Sequence, residues 1–413
     1  MDYIKTSLEK LHFNSITPIQ EEFFKKLRLG HNMVGVAKTG TGKTHAYLIP
    51  ILSVLDQSIN EIQLVIVVPT NELVFQVTNM IKELDDTFSV SSYFGGIDKK
   101  REKEKLSKRQ PQIVVSIPNK LVEFSVKENA LKIHTAKFLV LDEADMMFDE
   151  GFLNEIDLFL SHLDKATFVM MSATIKENMN QFIKKYFGIF ELIDVSNKNK
   201  LNIEYSLISI KGKDRLSCLS VLTNSINPFL CLVFVSQKTE IRGVYSKLLE
   251  EKKNVTYYSS DINIRQRKKL LEDITIGKFQ YVVVSDLAAR GLDFKASTII
   301  NYDLPNNMEF FFHRSGRTGR MNASGEVYII ASENDNRKVD KIRAANIKLN
   351  EYTITANSLK KQVKKNKFDE ELKNEIKKIK KPTRVKPNYK KDNKEKIAKA
   401  KKKLRGEQYA KNR

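Results

Sequence analysis

A glycine-rich stretch at residues 37–44 has the composition of a phosphate-binding loop, and it follows an apolar run at 33–36. Backbone N–H groups of such a loop converge on a phosphate at the start of a helix. Lys43 is then placed to reach the β- and γ-phosphates, and the Thr44 hydroxyl can bind Mg²⁺. Ala37 stands where the usual motif begins with glycine. A chance turn at a helix start is the alternative, so the neighbouring motifs must decide.

Two adjacent carboxylates, Asp142 and Glu143, follow the apolar run 138–141. Ligands of parallel α/β sheets bind beyond the carboxyl ends of the strands, which predicts these side chains at the edge that carries the glycine-rich loop. Asp142 is suited to hold Mg²⁺, and Glu143 is suited to polarise an attacking water. An acidic helix start is the alternative. The presence of Lys43 and Thr44 earlier in the chain favours a site that hydrolyses a nucleoside triphosphate.

Three arginines recur at three-residue spacing within the stretch 313–320 and are interrupted by glycines. They are Arg314, Arg317 and Arg320. A planar guanidinium stabilises charge on a transferring phosphoryl group, and glycine permits close backbone approach. The stretch belongs to a second predicted domain, so its arginines would reach a nucleotide only when the domains close. A basic surface turn is the alternative.

Short apolar runs alternate with helical patterns in two separate parts of the chain. Runs that are apolar on both faces predict buried parallel strands, and hence an α/β fold with two tandem doubly wound sheets. The runs lie at 33–36, 63–69, 112–116, 138–142, 167–172, 230–235, 255–258, 281–286, 298–302 and 327–330. We predict a first domain at 1–196, a linker at 197–204, a second domain at 205–345 and a basic tail at 346–413.

Charge is distributed unevenly along the chain, which has a formal net charge of +21. Residues 351–413 hold 23 lysines and arginines but 8 acidic residues, so most of the excess lies in the tail and predicts a polyanionic partner. Cys218 and Cys231 lie in or beside apolar runs without metal-ligand spacing, which predicts buried thiols. We find neither a signal peptide nor an apolar span of about 18 residues, and we expect a cytoplasmic location and no membrane partner.

The order of these motifs resembles that of the DEAD-box RNA helicases over about residues 3–335. The residues Asp142, Glu143, Ala144 and Asp145 spell the motif that names the family, in which alanine is also the usual first residue of the phosphate loop. The resemblance implies two RecA-like domains. The residues it implies at the nucleotide are Phe13, Gln20, Thr39, Gly40, Thr41, Gly42, Lys43, Thr44, Gly291 and Asp293.

The same resemblance assigns roles to individual side chains. Gln20 is expected to read the adenine edge, and Tyr3 to stack on the base. Thr44 and Asp142 are expected to hold Mg²⁺. The implied catalytic side chains are Lys43, Glu143, His313, Arg317 and Arg320.

Further resemblances concern the coupling of ATP hydrolysis to RNA. Ser172 and Thr174 are expected to link hydrolysis to unwinding through bonds to Asp145 and His313. The RNA-facing residues implied by the family pattern are Thr70, Gly96, Lys120, Arg267, Ser285 and Asp286. Departures from that pattern, which we expect to weaken RNA contact by the core, occur at Asn71, Ile117, Asn119 and Ile264.

The resemblance therefore implies an RNA helicase that uses ATP and Mg²⁺ to unwind short duplexes or to remodel RNA–protein complexes. The tail resembles the basic ending of bacterial cold-shock-type members, and a flexible polycation binds RNA phosphates without sequence preference. We expect a monomer that acts on ribosomal precursors or with the RNA-decay machinery. Two other functions stay open at this point: a DNA helicase or translocase, and an ATP-gated RNA clamp that displaces no strand.

Overall fold

The computed structural model describes residues 2–361, except positions 14, 164, 197–201, 211, 287–293, 295, 320–323 and 355–357, together with residue 398. Residues 1–359 form one compact unit with two α/β domains, and residues 360–413 form a second unit. Most of the predicted linker and tail lie outside the described residues, as do the site residues Gly291, Asp293 and Arg320.

The first domain is organised around a parallel sheet. Its strands are β1 (Asn32–Val36), β2 (Leu64–Val67), β3 (Val90–Tyr93), β4 (Ile113–Ser116), β5 (Phe138–Leu141), β6 (Thr167–Ser172) and β7 (Phe190–Asp194). They lie in the order β3-β4-β2-β5-β6-β1-β7, and the pairings are parallel. Successive side chains such as Met33 and Val34 enter two different apolar clusters, because a strand alternates its side chains between faces. Both faces of the sheet are therefore buried, as the sequence predicts.

Helices connect these strands and cover the two faces of the sheet. They are α1 (Asp2–Lys10), α2 (Pro18–Lys26), α3 (Lys43–Leu52), α4 (Asn71–Leu84), α5 (Lys99–Lys108), α6 (Pro118–Val122), α7 (Ala144–Asp149), α8 (Leu153–Leu160) and α9 (Glu177–Phe187). A π-helical turn (Glu123–Lys127) follows α6, and a 3-10 turn (Ile133–Thr135) precedes β5. Pro18 suits the first position of α2, since that position needs no backbone N–H bond within the helix.

The second domain repeats this architecture. Its parallel strands are β8 (Ile203–Ser209), β9 (Cys231–Phe234), β10 (Val255–Tyr258), β11 (Tyr281–Val284), β12 (Thr298–Asn301), β13 (Gly325–Ala331) and β14 (Leu349–Ile354). They lie in the order β10-β11-β9-β12-β13-β8-β14. A short strand, β15 (Leu359–Lys361), follows in the chain. Cys218 and Cys231 are buried and unbridged, which confirms the prediction of buried thiols.

Five described helices accompany this second sheet. They are α10 (Arg215–Ser225), α11 (Lys238–Glu250), α12 (Ile264–Thr275), α13 (Met308–Ser315) and α14 (Asn336–Ala344), with a 3-10 turn at Glu333–Asp335. Asparagine or aspartate caps several of them. Asn263, for example, accepts a hydrogen bond from the Gln266 N–H at 2.9 Å and so defines the start of α12.

Two predicted boundaries differ from the structure. Strand β14 lies beyond residue 345, where we placed the start of the tail, yet it pairs with β8 over Leu349–Thr353 and belongs to the second sheet. Strand β8 begins at Ile203, inside the predicted linker 197–204. The sequence pattern missed both strands because they mix apolar and polar residues, whereas the central strands are apolar throughout.

Candidate active site

The phosphate loop joins β1 to α3 in a conformation that glycine makes possible. Gly42 has a φ of 83°, a left-handed value that residues with a Cβ rarely adopt. A Cβ built on Gly42 would also lie 2.5 Å from the Gln20 Nε2 atom. The Thr41 hydroxyl donates to the Lys38 carbonyl at 2.7 Å, and this bond stabilises the turn of the loop. Lys43 begins α3 with a side chain that is 4% exposed.

Asp142 follows β5 at the same edge of the sheet, because β1 and β5 run parallel and are separated by β6 alone. Its Oδ2 atom accepts hydrogen bonds from Thr44 Oγ1 at 3.1 Å and from the buried Tyr47 hydroxyl at 2.9 Å. Burial and the neighbouring Glu143 carboxylate raise the pKa of Asp142 to about 6. The structure thus brings together the two side chains that the sequence predicts for Mg²⁺.

Glu143 is held in a strained backbone conformation. Its φ of 52° and ψ of 49° are left-handed values that cost a non-glycine residue about 1 kcal/mol or more. Its Oε2 atom lies 3.3 Å from the Lys43 Nζ atom. Burial acts to raise the pKa of Glu143, but Lys43, His313 and Arg317 outweigh it and leave the pKa below its ordinary value. Glu143 is therefore a carboxylate that is surrounded by positive charge.

The second domain completes this site. A cavity of about 510 Å³ lies between the domains and is lined by side chains of both. Arg317 enters it from the second domain, and burial lowers the pKa of its guanidinium to about 10, although Glu143 opposes the shift. His313 Nδ1 lies 3.0 Å from Thr39 Oγ1 in the phosphate loop. The described domains are therefore in the closed arrangement that the arginine motif requires.

One end of the cavity has the features of a base-binding site. Phe13 lines it and stacks edge-on against His45 with 5.2 Å between ring centroids. Thr17 also lines it, and its side chain belongs to a capping box at the start of α2. The Gln20 amide accepts from the Thr17 N–H at 2.9 Å and donates to the Gly42 carbonyl at 3.3 Å, and its contact with the adenine edge stays a prediction. Gln20 is fully buried and thus braces the phosphate loop in this conformation.

Tyr3, which was predicted to stack on the base, is not among the residues that line this cavity. Its hydroxyl points to Asp85 at 3.5 Å, at the end of α4. Burial, together with that carboxylate, raises the pKa of the Tyr3 hydroxyl to about 12. Phe13 and His45 are the described aromatic side chains that line the cavity, and Tyr3 packs against the domain core.

Three cavity-lining residues on α4 went unrecognised in the sequence. Leu73, Gln76 and Met80 are spaced so that they share one helix face. The Gln76 Oε1 atom is buried without a hydrogen-bond partner. The signal in the sequence was Gln76, a polar residue between the apolar Leu73 and Met80 on one helix face. Such a residue more often lies at the edge of an apolar core than in a ligand cavity.

The coupling residues of the first domain form a compact network. Asp145 Oδ2 accepts from the backbone N–H groups of Ala173 at 3.2 Å and Thr174 at 3.1 Å, and from the Thr174 hydroxyl at 3.3 Å. The Asp145 N–H donates to Ser172 Oγ at 3.2 Å. The expected link between Asp145 and residues 172–174 is present, whereas His313 bonds to Thr39 in the phosphate loop.

The predicted RNA-facing residues of the first domain occupy loop and helix-start positions. Thr70 caps α4 and accepts from the Leu73 N–H at 3.3 Å. Gly96 has a φ of 84° in the loop after β3. Lys120 pairs with Glu123 at 2.5 Å within the same helical stretch. These residues surround the carboxyl edge of the sheet that also carries the phosphate loop.

In the second domain, the predicted RNA-facing residues are engaged within the protein. Arg267 pairs with Glu72 of the first domain, and the Asp286 carboxylate accepts from Arg314 Nη2 at 2.7 Å. Ser285 is 2% exposed. In the closed arrangement, Arg267 and Asp286 are therefore paired with protein side chains, and their contact with RNA stays a prediction.

Arg314 is the structural centre of the arginine motif, although the sequence pattern grouped it with the arginines that would reach a nucleotide. Its side chain is 2% exposed and bonds to Asp286, to the Asn301 amide oxygen at 2.9 Å and to the Asp303 carbonyl at 2.7 Å. Ser236 Oγ accepts a further bond at 2.8 Å. These bonds anchor the start of the motif to the sheet of the second domain, and Arg317 projects from that anchor.

We expect Arg314→Met to destabilise the second domain by about 3–5 kcal/mol, because the Asp286 carboxylate, which is 19% exposed, and the fully buried Asn301 amide oxygen both lose their donor. Urea unfolding followed by circular dichroism measures this loss. Arg343→Met is the matched control, since Arg343 pairs with Asp340 at the surface with 48% of its side chain exposed. The control should change the unfolding free energy by less than about 0.5 kcal/mol. Equal effects of the two substitutions would contradict the anchoring role.

Comparison with protein families places this site in a known class. The DEAD/DEAH box helicase family matches residues 17–182, and the helicase conserved C-terminal domain matches residues 214–322. The chain is 35% identical over 406 residues to the DEAD-box ATP-dependent RNA helicase CshB of Bacillus cereus, covering 94% of this chain and 93% of the relative. This chain belongs to the DEAD-box ATP-dependent RNA helicases. The predictions of an RNA-dependent ATPase and of two RecA-like domains are thereby confirmed.

Other relatives agree with this assignment. The CshB helicase of Bacillus subtilis is 33% identical over 422 residues, with 98% of this chain and 96% of the relative covered. The fold matches a structure of Saccharomyces cerevisiae Dbp5 bound to RNA and ADP BeF3, with a TM-score of 0.76 and 22% identity over 86% of this chain and 94% of that one. Within the described residues, no helix is long and apolar enough to cross a membrane.

Proposed function

We propose that ATP binds in the cavity between the two domains and that its hydrolysis there drives local unwinding of short RNA duplexes. The observation that carries this proposal is the joint lining of one cavity by Lys43, Asp142 and Glu143 of the first domain and Arg317 of the second. Phe13 and Thr17 line the same cavity, and they would contact the base.

The residues present fit Mg²⁺ as well. Mg²⁺ prefers oxygen ligands and is commonly held by one or two protein groups together with phosphates. Thr44 Oγ1 and Asp142 Oδ2 are such oxygens, 3.1 Å apart, and Asp142 is 1% exposed beside the cavity. Mg²⁺ bound by these two residues would supply positive charge to the β- and γ-phosphates.

The positions of the remaining side chains support a sequence of events. Lys43 binds the phosphates, and Glu143 accepts a hydrogen bond from the attacking water, whose oxygen forms a bond to the γ-phosphorus as the bond to the β-phosphate oxygen breaks. Arg317 stabilises the charge of that transition state, and it reaches the cavity because the domains are closed. RNA binding would favour the same closure, so RNA would accelerate hydrolysis.

ATPase and strand-displacement assays on the full chain test this proposal. We expect single-stranded RNA, but not DNA of the same sequence, to stimulate ATP hydrolysis. We expect ATP-dependent displacement of a short RNA duplex that weakens as the duplex lengthens. DNA stimulation equal to that by RNA would favour a DNA helicase, and ATP-dependent RNA binding without displacement would favour a clamp.

The basic tail is proposed to anchor RNA, and its truncation gives a further prediction. Because β14 belongs to the second sheet, the deletion should begin at residue 362 and not at 351. Removing 362–413 should weaken RNA binding about tenfold at low salt and flatten its salt dependence, since fewer counterions are released. Fluorescence anisotropy over a salt series measures both quantities. Unchanged ATP affinity is the internal control, and an unchanged salt slope would contradict the anchoring role.

Ribosomal precursors or the RNA-decay machinery remain the proposed setting for this activity, in a cytoplasmic monomer. Two buried, unbridged cysteines support a reducing compartment. Crosslinking in cells, followed by sequencing of the bound RNA, would identify the natural substrate. Enrichment of ribosomal precursor RNA would support a role in ribosome assembly, whereas enrichment of messenger RNA would support a role in decay.

A further inference from the structure

The two domains also meet away from the ATP cavity. Helix α12 of the second domain lies against the start of α4 and against the loop after β3 in the first domain. We call this set of contacts the clasp. Its members are Glu72, Phe75, Gly95 and Gly96 of the first domain and Tyr258, Ile264, Arg267 and Lys268 of the second.

The polar half of the clasp is a buried ion pair. Arg267 Nη1 donates to Glu72 Oε1, and the Tyr258 hydroxyl donates to the same oxygen at 3.3 Å. The side chains of Arg267 and Glu72 are 13% and 7% exposed. A buried ion pair adds little net stability because both charges lose their hydration, but it penalises alternative alignments in which either charge lacks its partner. This half therefore determines how the two domains align.

The apolar half of the clasp lies over the double glycine. A Cβ built on Gly95 would be 3.4 Å from Ile264 Cδ1, and one built on Gly96 would be 3.7 Å from it. The Asn71 Oδ1 atom accepts from the Gly95 N–H at 3.0 Å and holds the loop in place beneath the isoleucine. These are ordinary van der Waals distances, so Ile264 lies close over the two glycines, and this contact removes apolar surface from water.

A third contact extends the clasp along α12. The Lys268 Nζ atom lies 5.9 Å from the centroid of the Phe75 ring, and Phe75 packs edge-on against Phe94 with 4.6 Å between centroids. Such an exposed cation–π contact is weak by itself. Ile264, Arg267 and Lys268 are thus three residues of one helix face that contact the other domain.

Two of the positions that depart from the family pattern, Asn71 and Ile264, lie in or beside the clasp. Because they depart from the family pattern, both were expected to weaken RNA contact by the core. In the structure, Asn71 supports the Gly95 loop and Ile264 covers it, so both serve contacts between the domains. We propose that the clasp favours domain closure on ATP without RNA and that Ile264 is a positioning residue, which acts on hydrolysis by bringing Arg317 to the cavity.

This inference rests on the proposed function, in which Arg317 serves hydrolysis only in the closed arrangement. Without RNA, the rate of ATP hydrolysis is proportional to the fraction of molecules that are closed. A contact that stabilises closure therefore raises this hydrolysis rate. With saturating RNA, nearly every molecule is closed and the same contact has little further effect. The clasp therefore sets the ratio between RNA-saturated and RNA-free hydrolysis.

The test measures ATP hydrolysis by the full chain, with and without saturating single-stranded RNA. Ile264→Ala should lower the RNA-free kcat about fivefold, because it removes most of a half-buried apolar contact. The RNA-saturated kcat should stay within about twofold, and the KM for ATP should change little, since the phosphate loop is intact. Ile264→Leu retains an apolar side chain and should behave like the unaltered chain. Ile276→Ala is the matched control, because Ile276 follows α12 in the same domain and is 78% exposed.

Three results would overturn the inference. The first is an unchanged RNA-free rate in Ile264→Ala, and the second is an equal fall with and without RNA. The third is RNA-free hydrolysis below detection in the unaltered chain while the RNA-saturated rate is normal. Each of them leaves the proposed function in place. Absence of hydrolysis with RNA present in the folded, unaltered chain would instead refute the proposed function itself.

Discussion

Lys43→Ala is expected to weaken ATP binding about a hundredfold and to abolish hydrolysis. The Lys43 ammonium is 4% exposed at the start of α3, and it lies 3.3 Å from Glu143 at the cavity. Charge-assisted hydrogen bonds in such a place contribute about 1.5–3 kcal/mol, and a change of about 2.7 kcal/mol corresponds to a hundredfold in affinity. Titration with a fluorescent ATP analogue measures the binding directly.

The matched control for this variant is Lys82→Ala. Lys82 is exposed on α4 in the same domain, and its substitution by alanine removes the same charge from the chain as Lys43→Ala does. It should leave ATP affinity within about twofold of the unaltered chain. If Lys43→Ala bound the analogue as tightly as this control, residues 37–44 would not be the phosphate site. Thermal unfolding of both variants separates lost binding from lost structure.

Glu143→Gln is expected to lower the ATP turnover rate by about 10²- to 10⁴-fold while ATP and RNA still bind. An amide has nearly the size of the carboxylate but is a poor base, so it loses the interaction with the attacking water. Because ATP hydrolysis is what lets the domains reopen and release RNA, the variant should accumulate in the closed, RNA-bound state. Single-turnover hydrolysis and RNA dissociation in the presence of ATP measure the two effects.

Glu104→Gln supplies the control, since Glu104 is exposed on α5 and the substitution removes an equal charge. It should turn over ATP at the normal rate and release RNA normally. Normal turnover in Glu143→Gln would refute the role of this carboxylate. Slow turnover with fast RNA release would instead separate hydrolysis from the closure that we propose.

Several features of the site follow from local sequence. The glycines of residues 37–44 permit backbone conformations that few other residues adopt, as the φ of 83° at Gly42 illustrates. The apolar runs before Lys43 and Asp142 predict parallel strands, and parallel strands place their carboxyl ends at one edge. The chemistry of ATP hydrolysis was therefore readable from neighbouring residues and from the order of a few elements.

Edge strands and domain boundaries were harder to predict from the sequence than the central strands. Strand β7 carries mixed polar and apolar residues with just one buried position, and β3 alternates, so neither resembles the apolar central strands. Strand β14 lies past the point where lysines begin to dominate. Such strands gain their stability from pairing with a neighbour distant in sequence, and a local pattern carries little information about that neighbour.

By itself, the sequence determined which residue types of the first domain line the cavity between the domains, because phosphate loops and strand-end carboxylates are properties of short segments. Only the tertiary structure decided their partners. Arg314 proved to be an anchor for Asp286, Gln20 a brace for Gly42, and Arg267 a partner of Glu72 that lies 195 residues away. Long charged side chains can pair in many ways, and which pair forms depends on how the two sheets meet when the domains close. That meeting also turned Ile264 from a departure at an RNA-facing position into a contact that joins the two domains.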